Sequence, residues 1–238
     1  PNPSLVVPPP KKAKGVADTR TGPARFKLPE PQLRKSKMGA LAQKKREEAI
    51  ERLKGIIPQF KGPQKAEFIF RLAELYWESQ KYFYLQAMQQ WDAKLQAWYE
   101  AGSKGAQPKL DDRRSEVFKK QALDLYQTIL DKYPAYQRKD EVLYVMAFNL
   151  YESDRIKAAL RMYLTLIKQY PQSKYVADAY LQMGDHFFNG NKLTAAIKAY
   201  TQALKTNKPK IYSSALYKLA WCDFNLQEYS AALDKLKK

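Results

Sequence analysis

Residues 144–163 read Tyr-Val-Met-Ala-Phe-Asn-Leu-Tyr-Glu-Ser-Asp-Arg-Ile-Lys-Ala-Ala-Leu-Arg-Met-Tyr, with Tyr170-Pro171 one short segment later. The pattern returns twice. Leu181-Gln-Met-Gly184-Asp-His-Phe187 leads into Ala195-Ala-Ile-Lys-Ala-Tyr200, and Tyr217-Lys-Leu-Ala220-Trp-Cys-Asp leads into Ala231-Ala-Leu. In each copy a small residue (Ala147, Gly184, Ala220) stands 12 positions before a second one (Ala159, Ala196, Ala232). Tyr163 and Tyr200 follow four positions later, and Leu236 takes that place in the last copy. The unit recurs every 36 or 37 residues, which marks a stacked array. Small residues let two helices approach closely, and a large side chain one turn on fills the space beside them. Each unit is therefore expected to be a helix–turn–helix, with Pro134, Pro171 and Pro209 ending the second helices.

The pattern extends toward the N-terminus. Ala122, Tyr126 and Pro134 lie 37 residues before Ala159, Tyr163 and Pro171. Their first half is Leu72-Ala73, 49 residues before Ala122 instead of 12, so this unit carries a 37-residue insertion. Ala49, with Leu53 one turn on, stands 24 residues ahead of Ala73, the same step as from Ala196 to Ala220. The expected organisation has a basic proline-rich flexible arm at 1–35 and a capping helix at 36–62. An enlarged unit at 63–135 follows, then units at 136–172 and 173–209 and a truncated unit at 210–238. The chain starts without Met and stops inside a helical pattern. A fragment or processed chain is expected, with more repeat sequence past Lys238.

These residues resemble the tetratricopeptide repeat family, whose Leu-Gly-x-x-Tyr, Ala-x-x-x-Phe and Pro pattern they follow over roughly 47–238. The resemblance implies an all-α fold: a right-handed α-solenoid of such units, with a protruding long helical hairpin in the first. It also implies a groove lined by the first helices, where the family's peptide ligands usually lie. Carried over by register, the groove positions are Phe70, Arg71, Glu74, Trp77 and Glu78 in the first unit, then Tyr144, Phe148 and Tyr151. The third unit gives Gln182, Asp185, Phe188 and Asn189, and the last gives Tyr217, Lys218, Trp221, Phe224 and Asn225. That lining suits a partner peptide with apolar anchors. It is not the uniformly basic lining with which chaperone-binding members clamp a C-terminal carboxylate. A register error of one position would exchange groove and core.

Within the insertion, residues 64–100 contain no Pro or Gly and read as one long helix, broken by Gly102, Gly105 and Pro108. Tyr84, Met88, Trp91, Leu95 and Trp98 are spaced 4-3-4-3 along it, a coiled-coil-like stripe. Two readings stand: the stripe packs within the chain, on Val117 and Phe118 or the capping helix, or it is a second protein contact.

Composition narrows the function. One His and one Cys in 238 residues cannot build a Cys/His zinc site or a disulfide. His186 and Cys222 both occupy the register position of Asn149, so packing roles are expected for them. No HExxH, Walker A or GxSxG motif is present, and no cofactor, metal site or enzymatic activity is expected. Of the +18 net charge, +10 falls in residues 1–46 (12 Lys and Arg, 2 acids). Eight of the 14 prolines lie in the same stretch. The runs Lys11-Lys12-Ala-Lys14, Arg34-Lys35-Ser-Lys37 and Lys44-Lys45-Arg46 are either a solvated leader or, alternatively, a polyanion contact for nucleic acid, anionic lipid or cell-wall polymer. No motif supports specific nucleic-acid reading. Tyr170-Pro-Gln-Ser-Lys-Tyr resembles the linker of bacterial cell-envelope tetratricopeptide proteins, including those of the Tol–Pal and outer-membrane assembly systems. Ala215-Leu-Tyr-Lys-Leu-Ala-Trp-Cys-Asp-Phe-Asn-Leu is similar to repeats of large envelope proteins, some tied to gliding motility. The resemblance implies a periplasmic, outer-membrane-associated interaction scaffold.

Overall fold

The computed structural model describes residues 37–237, and among them every regular element is helical. The arm at 1–35, with its Lys11–Lys14 run, lies outside the described residues. In order come α1 (Lys37–Ile56), a short 3-10 turn (Ile57–Gln59), α2 (Gly62–Glu100) and α3 (Arg113–Lys132). Next are α4 (Lys139–Glu152), α5 (Ile156–Gln169) and α6 (Val176–Asn189). The chain continues through α7 (Leu193–Ala203), α8 (Pro209–Asn225) and α9 (Tyr229–Leu236). The closest packing joins α2 to α3, α4 to α5, α6 to α7 and α8 to α9, and each pair then packs on the next. This is the architecture of a helix–turn–helix α-solenoid.

The small-residue positions explain the pairing. Ala147, Ala159 and Ala196 are 0% exposed, and Tyr126, Tyr163 and Tyr200 beside them are also 0% exposed. Gly184 marks the tightest approach, because a Cβ there would stand 2.4 Å from Cε1 of Tyr200. One cap closes all four first helices. Gly102, Asp154, Asn191 and Gln227 adopt positive φ just past the helix. The next amide then reaches back five residues: Ser103 to Trp98 O, Arg155 to Leu150 O, Lys192 to Phe187 O and Glu228 to Asp223 O, all at 2.8–2.9 Å. This Schellman geometry satisfies the last carbonyls of the helix. The insertion thus lengthens the first helix of its unit and leaves the cap unchanged.

Two expectations need correction. Pro134 and Pro171 follow the ends of α3 and α5, but Pro209 is the first residue of α8 and α7 has already ended at Ala203. Proline suits that position, where the amide hydrogen has no helical acceptor and the fixed φ is already helical. In α1 Gly39, Gln43 and Ile50 are buried, the last two at 4% and 3% exposure, while Ala49 is only half-buried. On the buried face of α1, Gln43 Nε2 donates to Ser79 Oγ of α2 at 3.3 Å.

Candidate functional site

The first helices α2, α4, α6 and α8 carry the sequence-predicted groove residues, and the structure divides these into three groups. Phe70, Trp77 and Phe188 are core residues, at 1%, 6% and 8% exposure, and do not face a ligand. The neighbouring helices and the following unit close over these large rings. Tyr144 is half-buried and stacked on Tyr175 of the next linker, with ring centroids 4.9 Å apart. Tyr151 packs edge-on against His186 at 6.2 Å, and Phe148 and Gln182 are half-buried nearby in sequence register. Glu74, Glu78, Asn189, Tyr217, Phe224 and Asn225 are exposed, as is Arg71, which pairs with Glu67 at 3.1 Å.

The polar groups are unevenly placed. Near α2 and α4, Arg138 Nη1 donates to both Glu67 oxygens, at 2.9 and 2.8 Å, and its Nε donates to Glu141 at 2.8 Å. The Tyr136 hydroxyl donates to the same Glu67 at 2.7 Å. Ser173 Oγ donates to Asp140 at 2.6 Å, and Lys208 Nζ to Asp178 at 2.8 Å. Each linker is thus tied to an acid near the start of the preceding unit's first helix. Sequence reading missed these ties, because acid and partner stand 30 to 71 residues apart. The recurrence of Glu67, Asp140 and Asp178 ahead of their small residues was the available signal.

At the other end the face is aromatic. Tyr217, Trp221, Phe224 and Tyr229 form an edge-to-face chain with centroids 6.2, 5.7 and 5.4 Å apart. Tyr217, Phe224 and Tyr229 are 46%, 53% and 59% exposed. Trp221 is partly buried at the centre of the chain, and its carbonyl accepts from Asn225 Nδ2 at 2.7 Å.

The insertion stripe runs along the second half of α2. Tyr84 is exposed, while Met88, Trp91, Leu95 and Trp98 are half-buried. Trp91 Nε1 donates to the Pro108 carbonyl at 2.9 Å, so the non-helical return from Gly102 to Asp112 runs back beside the stripe. Val117 is exposed, and Phe118 stacks on Phe83 at 5.2 Å, above the stripe. The intrachain reading therefore holds for Trp91, with the return segment as its cover instead of α3.

The remaining chemistry is quiet. His186 lies between Tyr151 and Phe187, and desolvation with Lys192 lowers its pKa, so the ring is neutral near pH 7. Burial pushes the Cys222 thiol up to about 12. Since the thiolate is the reactive form, Cys222 is expected to react with a disulfide reagent much more slowly than a free thiol at pH 8, and at the free rate in denaturant. Fast labelling of the folded chain would contradict this burial. Among the described residues no group of His, Cys, Asp or Glu is arranged to hold a metal ion. No described helix is long and apolar enough to cross a membrane.

No curated protein matches the chain. Two family models, both described as tetratricopeptide repeat, match residues 141–173 and 181–238. The first spans α4 and α5, and the second covers most of α6 and continues through α9. Such repeats are units of protein–protein interaction scaffolds. The helix pairs from α4 onward, with their close-packed small residues and buried tyrosines, are the part of the chain that is similar to tetratricopeptide repeats.

Proposed function

We propose that the chain is a non-catalytic adaptor that holds a partner protein or peptide along the face of its first helices, with apolar anchors on α8. The observation that carries this reading is the aromatic chain Tyr217–Trp221–Phe224–Tyr229, three of whose rings are more than 45% exposed. Interface energy concentrates in a few aromatic and Arg side chains. Affinity capture from the source cell, followed by titration of the captured partner, tests it. Trp221→Ala and Phe224→Ala are each expected to weaken that partner by at least about 30-fold, the effect of losing a hot spot. Binding is also expected to persist at high salt. Unchanged affinity in both variants overturns the reading. So does a steep fall with salt, the signature of polyanion binding.

The cell-envelope setting belongs to the same proposal: an adaptor in a periplasmic, outer-membrane-associated assembly, of the motility or outer-membrane assembly kind. It rests on the Tyr170-Pro-Gln-Ser-Lys-Tyr linker and on the Ala215–Leu226 segment. Fractionation of the source cell tests it. The polyanion alternative draws less support. Within Lys44-Lys45-Arg46, Lys45 pairs with Glu48 and Arg46 with Glu78, each at 2.8 Å, which leaves Lys44 as the unpaired charge of that run.

A further inference from the structure

The junction of α6 with α8 is closed by a polar chain. The Tyr200 hydroxyl donates to Asp185 Oδ1 at 2.7 Å, and Lys218 Nζ lies 2.6 Å from the same oxygen. A buried phenol, an acid and a cation satisfy one another there. At the junction of α2 with α4, the same register positions hold Tyr126, Glu74 and Val145. The lysine is missing there, and the acid and the phenol are not joined by a hydrogen bond.

Glu74 is exposed and makes no hydrogen bond or salt bridge with the described residues. Its neighbours are all engaged: Glu67 and Glu141 by Arg138, and Glu78 by Arg46. Beneath it, Tyr126 is 0% exposed and its hydroxyl has no partner, although it lies within electrostatic reach of Glu74. The Asn149 side chain of α4, 2% exposed, is the polar group that approaches that hydroxyl. Buried polar atoms without partners are rare and costly in native structures. Desolvation raises the Glu74 carboxyl against the opposing pull of Arg138 and Arg71, so a cation placed directly beside it would further favour its charged form.

We propose that this junction is a subsite for one lysine or arginine side chain of the partner, which takes the place that Lys218 holds two units later. The inference rests on the groove reading above and names a chemistry for its other end. Val145, half-buried against the core, carries no charge there and supplies apolar surface for the aliphatic stem of the incoming side chain. Glu74 receives the cation as Asp185 receives Lys218. Drawn inward, its carboxylate accepts from Tyr126, as Asp185 accepts from Tyr200.

A random display library of short linear peptides, selected on the full chain, tests this. The bulk field of a +18 chain favours acidic peptides, so enrichment of Lys or Arg at one position would run against that field. That enrichment is expected on the unaltered chain and on Glu51→Gln, an exposed acid of α1 outside the groove. It is expected to disappear on Glu74→Gln, and on Val145→Lys, which supplies the missing cation from within the chain. In a selected peptide, changing that residue to Gln is expected to cost about tenfold in affinity on the unaltered chain and almost nothing on Glu74→Gln. Circular dichroism checks that the variants fold. Enrichment that survives in Glu74→Gln, or selected peptides with no basic preference, would overturn the subsite and leave the groove reading standing. A selection that enriches no peptide would overturn both.

Discussion

Tyr163→Ala is expected to lower the unfolding free energy by about 3–5 kcal/mol, the cost of removing a fully buried aromatic ring and leaving a cavity. Tyr163 is 0% exposed and packs with Leu143, Ala147, Leu166, Ala179 and Met183 at the centre of the second cluster of the array. The informative companion is Tyr163→Phe. The Tyr163 hydroxyl is buried without a hydrogen-bond partner, so its removal is expected to be neutral or slightly stabilising. Tyr200→Phe is expected to behave in the opposite way. Its hydroxyl donates to the Asp185 carboxylate at 2.7 Å, and a hydrogen bond to a charged group is worth about 1.5–3 kcal/mol. Urea unfolding followed by circular dichroism measures all three. Equal losses for the two Phe variants would mean that Tyr163 has a partner after all.

Gly184→Ala is expected to destabilise the chain by about 1–3 kcal/mol through overpacking. Intrinsic propensity argues the other way, since Ala in a helix interior is favoured over Gly by about 1 kcal/mol. Geometry decides the sign. The new Cβ would stand 2.4 and 2.5 Å from Cε1 and Cδ1 of Tyr200. That ring is 0% exposed and its far end is held by Asp185, so it has nowhere to move. The equivalent pair in the unit before, Ala147 with Tyr163, accommodates the methyl group. The penalty is therefore expected to vanish in a Tyr200→Leu background, where Gly184→Ala should become stabilising by up to about 1 kcal/mol. A penalty of the same size in both backgrounds would show that the ring is not its cause.

These two variants also indicate where sequence reading succeeds. The spacing of 12 residues between small side chains, and of four to the tyrosine, is a local periodicity. Helix geometry turns such periodicity into faces without reference to the rest of the chain. The paired helices, the array and the long α2 could be read that way, as could the packing roles of His186 and Cys222. The groove was harder to read. Phe70, Trp77 and Phe188 share the register of exposed neighbours such as Tyr217 and Phe224. Their burial depends on which helix lies opposite, and no periodicity within one helix records that.

The sequence by itself determined a repeating helical array, its period, the position of its insertion and the scarcity of its histidine and cysteine. Only the tertiary structure decided which aromatics face solvent, that the return segment covers Trp91, and that Arg138 and Lys208 tie linkers to acids in preceding units. It also decided that Glu74 stands without the cation that Asp185 possesses. The physical reason is one of range. Helix formation and small-residue spacing act over a few residues along the chain, whereas burial and ion pairing depend on atoms that stacking brings together from far along it.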